Sequence, residues 1–168
     1  CLLVTPYYNK PTQEGLYQHY KKIADLVDIP QILYNVPGRT SVDMQPETVL
    51  RLSTHKNIVG IKEASGNKDR SLSLMKLCSK DIKIFTGDDK TSMSDISDGF
   101  SGNISVTANV APLEMHQMCQ SALEGDIENA SKLNSNLDIL HDLLFCESNP
   151  IPVKWCLHKM GLIKKGIR

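Results

Sequence analysis

Lys62 ends the apolar run Ile58-Val59-Gly60-Ile61, after which the chain turns polar at once through Glu63-Ala64-Ser65-Gly66-Asn67. Such a run reads as a core strand, so the lysine has a buried stem and presents its amine at the strand's carboxyl end, where α/β sheets place their chemistry. An amine held in a partly apolar pocket loses hydration of its charged form. Its pKa falls from about 10.4, and more of it is the neutral nucleophile that attacks carbonyls. Schiff-base formation is the reaction this points to. Taken alone, the placement also fits a strand-end lysine that snorkels to solvent, so its neighbours carry the decision.

Three other strand ends supply those neighbours. The run Ile32-Leu33-Tyr34 passes into Asn35-Val36-Pro37-Gly38-Arg39-Thr40, another ends at Thr86-Gly87-Asp88-Asp89, and the last carries Gly102-Asn103-Ile104-Ser105-Val106. Tyr34 offers a phenol one strand from the amine, suited to shuttling protons as a carbinolamine forms and collapses. Arg39 offers a rigid fork for a carboxylate. Gly87 and Gly102 leave room for a substrate to approach the backbone. Singly, these residues also fit a packed aromatic, a surface charge and turn glycines. Together, at one end of adjacent strands, they form a constellation.

The 168 residues hold 19 basic and 19 acidic side chains with no block of either sign, which argues against nucleic-acid or anionic-membrane partners. No apolar stretch approaches the roughly 20 residues a membrane-spanning helix needs, and Cys1-Leu2-Leu3-Val4 lacks the length and basic flank of a signal-peptide core. A cytosolic protein is expected. Five cysteines (Cys1, Cys78, Cys119, Cys146 and Cys156) with no CxxC pair fit reduced thiols better than a disulfide framework or zinc ribbon. No HExxH or comparable spacing is present, so no metal site is expected.

The elements that must position these groups follow from periodicity. Short runs of branched apolar residues predict strands at 2–5, 31–34, 58–62, 82–86 and 103–106, each apolar on both faces. Helical patterns separate them, at 13–27, 45–53, 69–78 and 91–98, and a wholly helical tail follows at 112–124, 127–145 and 152–160. Alternating units of this kind predict an α/β fold with a parallel sheet. A doubly wound sheet usually announces itself with a glycine-rich phosphate turn, and none occurs here. The alternative is the (β/α)8 TIM barrel, which needs eight strands. The chain also opens inside an apolar strand without methionine. The reading is therefore strands 4 to 8 of a barrel: residues 1–110 are its later βα units, and residues 111–168 its last helix and the start of a C-terminal helical region.

Five stretches resemble the dihydrodipicolinate synthase family of class I pyruvate-dependent aldolases. They are Val4-Thr5-Pro6-Tyr7-Tyr8-Asn9-Lys10-Pro11, Tyr34 to Thr40, Gly60 to Asn67, Gly87-Asp88-Asp89, and Asn149-Pro150-Ile151-Pro152-Val153-Lys154. The resemblance implies a lyase of diaminopimelate and lysine biosynthesis that condenses pyruvate with L-aspartate 4-semialdehyde, giving 4-hydroxy-tetrahydrodipicolinate. No cofactor is implied beyond a covalent imine of pyruvate on Lys62. It also implies that Tyr34 donates and accepts protons, that Arg39 binds the semialdehyde carboxylate, and that the backbone at Ile104 holds the pyruvate carboxylate. Tyr8 would complete a proton relay across the tight interface of a homodimer or homotetramer, and Tyr7 would touch an allosteric lysine cleft.

One departure stands out: the Gly-Thr-Thr-Gly-Glu segment that the resemblance implies, whose threonines link the two relay tyrosines, is not in this sequence. A sister aldolase acting on N-acetylneuraminate or a keto-deoxy sugar acid would keep Lys62 and Tyr34 but is not expected to place arginine at position 39. A non-catalytic keto-acid-binding or assembly piece is the alternative from another class.

Overall fold

The computed structural model describes residues 1–167. Four strands, β1 (Leu2–Val4), β2 (Gln31–Asn35), β3 (Ile58–Glu63) and β4 (Lys83–Thr86), form one parallel sheet in the order β1-β2-β3-β4. Helices fill the crossovers: α1 (Gln13–Leu26), then α2 (Pro37–Thr40) with α3 (Pro46–Ser53), and α4 (Lys68–Cys78); α5 (Ser92–Ser97) follows β4. Spatial order equals chain order, with no reversal of the kind that makes the switch point of a doubly wound sheet. This sequential winding is how a barrel sheet runs.

Local sequence explains the helix boundaries. Thr12 and Asn67 cap α1 and α4 by accepting hydrogen bonds from Gly15 N at 3.2 Å and Arg70 N at 3.1 Å. Pro46 opens α3, where its missing N–H costs nothing.

The strands alternate in a way their apolar composition conceals. Leu33, Ile61 and Ile84 lie side by side in register and point at the helices, packing with Leu16, Tyr20, Leu52 and Leu74. The next register row, Asn35, Glu63 and Thr86, faces the same way and is also buried. The opposite face carries Tyr34, Lys62 and Phe85, each only half-buried. Burial on both faces, as predicted, therefore holds on the helix side alone; the concave face opens on a cleft.

The fifth predicted strand, at 103–106, is replaced by one bridge between Thr86 and Asn103. Ile104 N still donates to Thr86 O at 2.9 Å, but the ladder stops there. The cause is Asp89, buried beside β4. Its Oδ2 accepts from Val106 N at 2.9 Å and Thr107 N at 2.8 Å, capturing amides that a longer strand would have offered to the sheet. The chain then turns through Thr107–Asn109 into α6 (Pro112–Leu123), α7 (Ile127–Leu143) and α8 (Ile151–Lys159). Here the predicted helical tail is found, with α6 and α7 packed through Met115, Met118 and Leu137.

Candidate active site

The concave face at the carboxyl ends of β2, β3 and β4 borders a cleft of about 470 Å3. Lys62 stands at its floor, one residue before the end of β3, with its stem in the sheet and its amine in the cleft. Nζ lies 4.5 Å from the centre of the Tyr34 ring, its register partner on β2. Burial depresses the Lys62 pKa below the ordinary lysine range, and the negative charge of Asp89 works against that shift. For Tyr34, burial pushes the phenol pKa up while Arg39 pulls it down, so the hydroxyl keeps its proton and is available as an acid.

Gly87 follows β4 and is the reason the lysine fits. A Cβ placed there would come within 2.5 Å of Lys62 Cε and 2.8 Å of Ala64 Cβ. The glycine thus makes space for the lysine stem itself, beyond the substrate access read from the sequence. Arg39 lies on the short helix α2, exposed, on the cleft wall, and makes no ion pair among the described residues. A cation held at a cleft wall without a protein anion is suited to an anionic ligand.

The structure thus brings Lys62, Tyr34, Arg39 and Gly87 together. It does not bring in the rest. Ile104 is absent from the cleft lining, where Val106 stands instead, and its N–H is committed to Thr86 O. Tyr8 is 93% exposed and Tyr7 64%, both outside this cleft.

Other lining residues were given no role in the sequence reading, although Asp88 and Asn149 lie in stretches it singled out. Asp88 and Lys90 come from the loop after β4, His141 and Asp142 from α7, and Phe145 and Asn149 from the turn after it. Lys90 pairs with Asp142 across the rim. His141 is buried, with Nδ1 2.9 Å from Thr107 Oγ1, which in turn donates to Asp89 at 3.1 Å. The Gly87-Asp88-Asp89 motif pointed to the first of these groups. Nothing local marks the residues of α7, because they reach the cleft only through the packing of α7 on α5 and α6.

Comparison with known proteins places this arrangement. The model of the Dihydrodipicolinate synthetase family matches residues 1–168. The chain is 62% identical over its whole length to the 4-hydroxy-tetrahydrodipicolinate synthases of Pseudomonas putida (strain W619) and Alcanivorax borkumensis, and covers 58% and 57% of those proteins. Among solved structures it is similar to the chloride-inhibited dihydrodipicolinate synthase from Acinetobacter baumannii complexed with pyruvate (TM-score 0.96, 56% identity). It is similar also to dihydrodipicolinate synthase from Aquifex aeolicus (TM-score 0.97, 42% identity). Each covers 99% of this chain and is itself covered to 57%. The chain therefore spans somewhat more than half the length of the relatives it matches. With every residue matched by the family model and the fold shared with solved members, the chain belongs to the dihydrodipicolinate synthetase family.

Proposed function

We propose that this chain carries the Schiff-base centre of an enzyme that condenses pyruvate with L-aspartate 4-semialdehyde. One observation carries the reading: a half-buried lysine with a depressed pKa, its amine over the ring of a protonated tyrosine, in a cleft walled by an arginine without a partner anion among the described residues. The names of the relatives and the pyruvate in the A. baumannii complex support it.

In this reading the neutral Lys62 amine attacks the keto carbon of pyruvate, and Tyr34 supplies the proton with which the carbinolamine oxygen leaves as water. The imine then acts as an electron sink, so a methyl proton is lost and the enamine carbon attacks the aldehyde. Attack by the semialdehyde's own amine on the imine carbon closes the ring and frees Lys62. Arg39 holds the semialdehyde carboxylate. The N-acetylneuraminate and keto-deoxy sugar acid readings lack a use for Arg39, and the non-catalytic reading lacks one for the depressed lysine pKa.

The sheet β1 to β4 and the bridged segment after it correspond, on this proposal, to strands 4 to 8 of a TIM barrel. Residues 1–110 form its later βα units, and 111–168 its last helix and the start of a helical region. The exposure of Tyr7 and Tyr8 supports their place at a subunit interface, Tyr8 reaching a neighbouring cleft and Tyr7 a lysine-binding site, in a homodimer or homotetramer. Holding the pyruvate carboxylate by the Ile104 backbone would require its N–H, which donates to Thr86 O instead, so that role is not carried into the proposal. A cytoplasmic place for the reaction is part of this proposal; separately, no helix among the described residues is long and apolar enough to cross a membrane.

Borohydride reduction of the complete gene product in the presence of pyruvate, followed by peptide mass mapping, tests the centre. A stable adduct at Lys62 alone is the expected result. Labelling at another lysine, or none, overturns it.

A further inference from the structure

Directly behind the cleft, on the helix-facing side of the same two strands, lies a polar cluster that the reaction does not use. Asn35 follows Tyr34 on β2 and Glu63 follows Lys62 on β3; the two are register partners, as Tyr34 and Lys62 are, and both are buried. Asn35 Oδ1 accepts from Met44 N at 2.9 Å, and Asn35 Nδ2 donates to Asp43 Oδ1 at 2.9 Å and to Glu63 Oε2 at 3.2 Å. Arg70 of α4, also buried, donates through Nε to Glu63 Oε2 at 2.8 Å and through Nη2 to Met44 O, and its Nη1 lies 3.3 Å from Asp43 Oδ1.

Residues 36–44 are the segment that carries Arg39. It leaves the sheet at Asn35 and returns to the side chain of the same Asn35 at Asp43 and Met44, so one residue closes both ends of the loop. Inside the loop, Thr40 Oγ1 donates to Val36 O and accepts from Val42 N, and Ser41 takes a left-handed conformation with φ of 53°. A non-glycine residue in that region persists only where its surroundings hold it.

We infer that Asn35, Asp43, Glu63 and Arg70 form a clasp that sets the distance between Arg39 and Lys62, making Asp43 and Arg70 positioning residues for the second substrate. The inference rests on the synthase reading, in which the semialdehyde must reach from the enamine on Lys62 to the guanidinium of Arg39. Pyruvate, joined to Lys62 and not held by Arg39, does not sense that span. Misplacement of a substrate-holding group by about 1 Å is enough to slow a reaction up to about 100-fold.

Asp43→Ala is the informative variant, because the Asp43 side chain is 42% exposed and its loss leaves the Glu63–Arg70 pair in place. In the complete gene product it should raise the KM for aspartate semialdehyde about fivefold or more, within the range a displaced binding group produces. The KM for pyruvate and the rate of borohydride trapping at Lys62 should stay within about twofold, and Asp43→Asn, which keeps an acceptor oxygen, should recover most of the loss. In an Arg39→Ala background Asp43→Ala should have no further effect, since a residue acting only through Arg39 has nothing left to position. An equal penalty in both backgrounds, an equal rise in both KM values, or no change overturns the clasp. Absence of trapping at Lys62 in the unsubstituted protein would instead overturn the synthase reading beneath it.

Discussion

Lys62 and Gly87 occupy one another's space: the lysine stem runs where any side chain at position 87 would stand, 2.5 Å from a Cβ there. The two residues are 25 apart in sequence, Lys62 on β3 and Gly87 just after the neighbouring β4, so the lysine's course into the cleft depends on a glycine that bears no chemistry of its own.

Gly87→Ala should therefore damage the centre. The new methyl meets both Lys62 and Ala64: the lysine end can swing aside, but Ala64 Cβ, 2.8 Å away, moves only with its backbone. Pyruvate trapping by borohydride should slow at least about tenfold, as expected when a reacting group leaves its attack geometry. The thermal midpoint should fall as well, because the backbone at Ala64 must give way. Wild-type trapping in this variant would show that the lysine has another route to the substrate.

Arg39→Ala separates the two substrates. A lost charge-assisted, bidentate contact is worth on the order of 1.5 to 3 kcal/mol, at least about a tenfold effect. The expected outcome is that much loss in kcat/KM for aspartate semialdehyde with imine formation from pyruvate retained. Equal loss in both steps would make Arg39 structural and revive the sister-aldolase alternative.

The pH dependence of trapping reports on Lys62. Only the neutral amine attacks, so the rate rises with pH through the lysine's pKa, and because burial depresses that pKa the midpoint of the rise should lie below the ordinary value of about 10.4. Asp89 opposes the shift, since its negative charge favours the ammonium. Asp89→Asn removes that charge while keeping an acceptor oxygen for Val106 and Thr107. The midpoint of the profile should then move to lower pH; movement upward, or none, would mean that Asp89 does not act on the amine.

Leu33 tests the sheet beneath the site. It is fully buried and paired in register with Leu3 on one side and Ile61 on the other. Leu33→Ala should cost about 2 to 5 kcal/mol of stability, from lost transfer energy and the cavity left behind, read by urea unfolding. A loss below about 1 kcal/mol would place Leu33 in a site that collapses around the smaller side chain.

Much of the fold was legible in the chain. Apolar runs such as Ile58 to Ile61, ended by polar and glycine residues, read as buried strands, and segments of helical period read as the helices between them. The position of Lys62 at a strand end was legible for the same reason, as was the family motif around it. The fifth strand was misread because 103–106 looks like a strand locally, and only tertiary contact shows Asp89 withdrawing its amides from the sheet.

The sequence by itself determined most of the strands and helices, 103–106 and α2 excepted, since burial and chain stiffness act over a few neighbouring residues, and it named Lys62, Tyr34, Arg39 and Gly87. The tertiary structure decided how they meet. Register set Tyr34 beside Lys62 and Asn35 beside Glu63, packing carried His141 and Asn149 of the helical tail to the cleft, and the steric meeting of residue 87 with the lysine stem gave Gly87 its role. Those relations join residues far apart in the chain. They arise from how whole elements pack, which no local run of residues encodes.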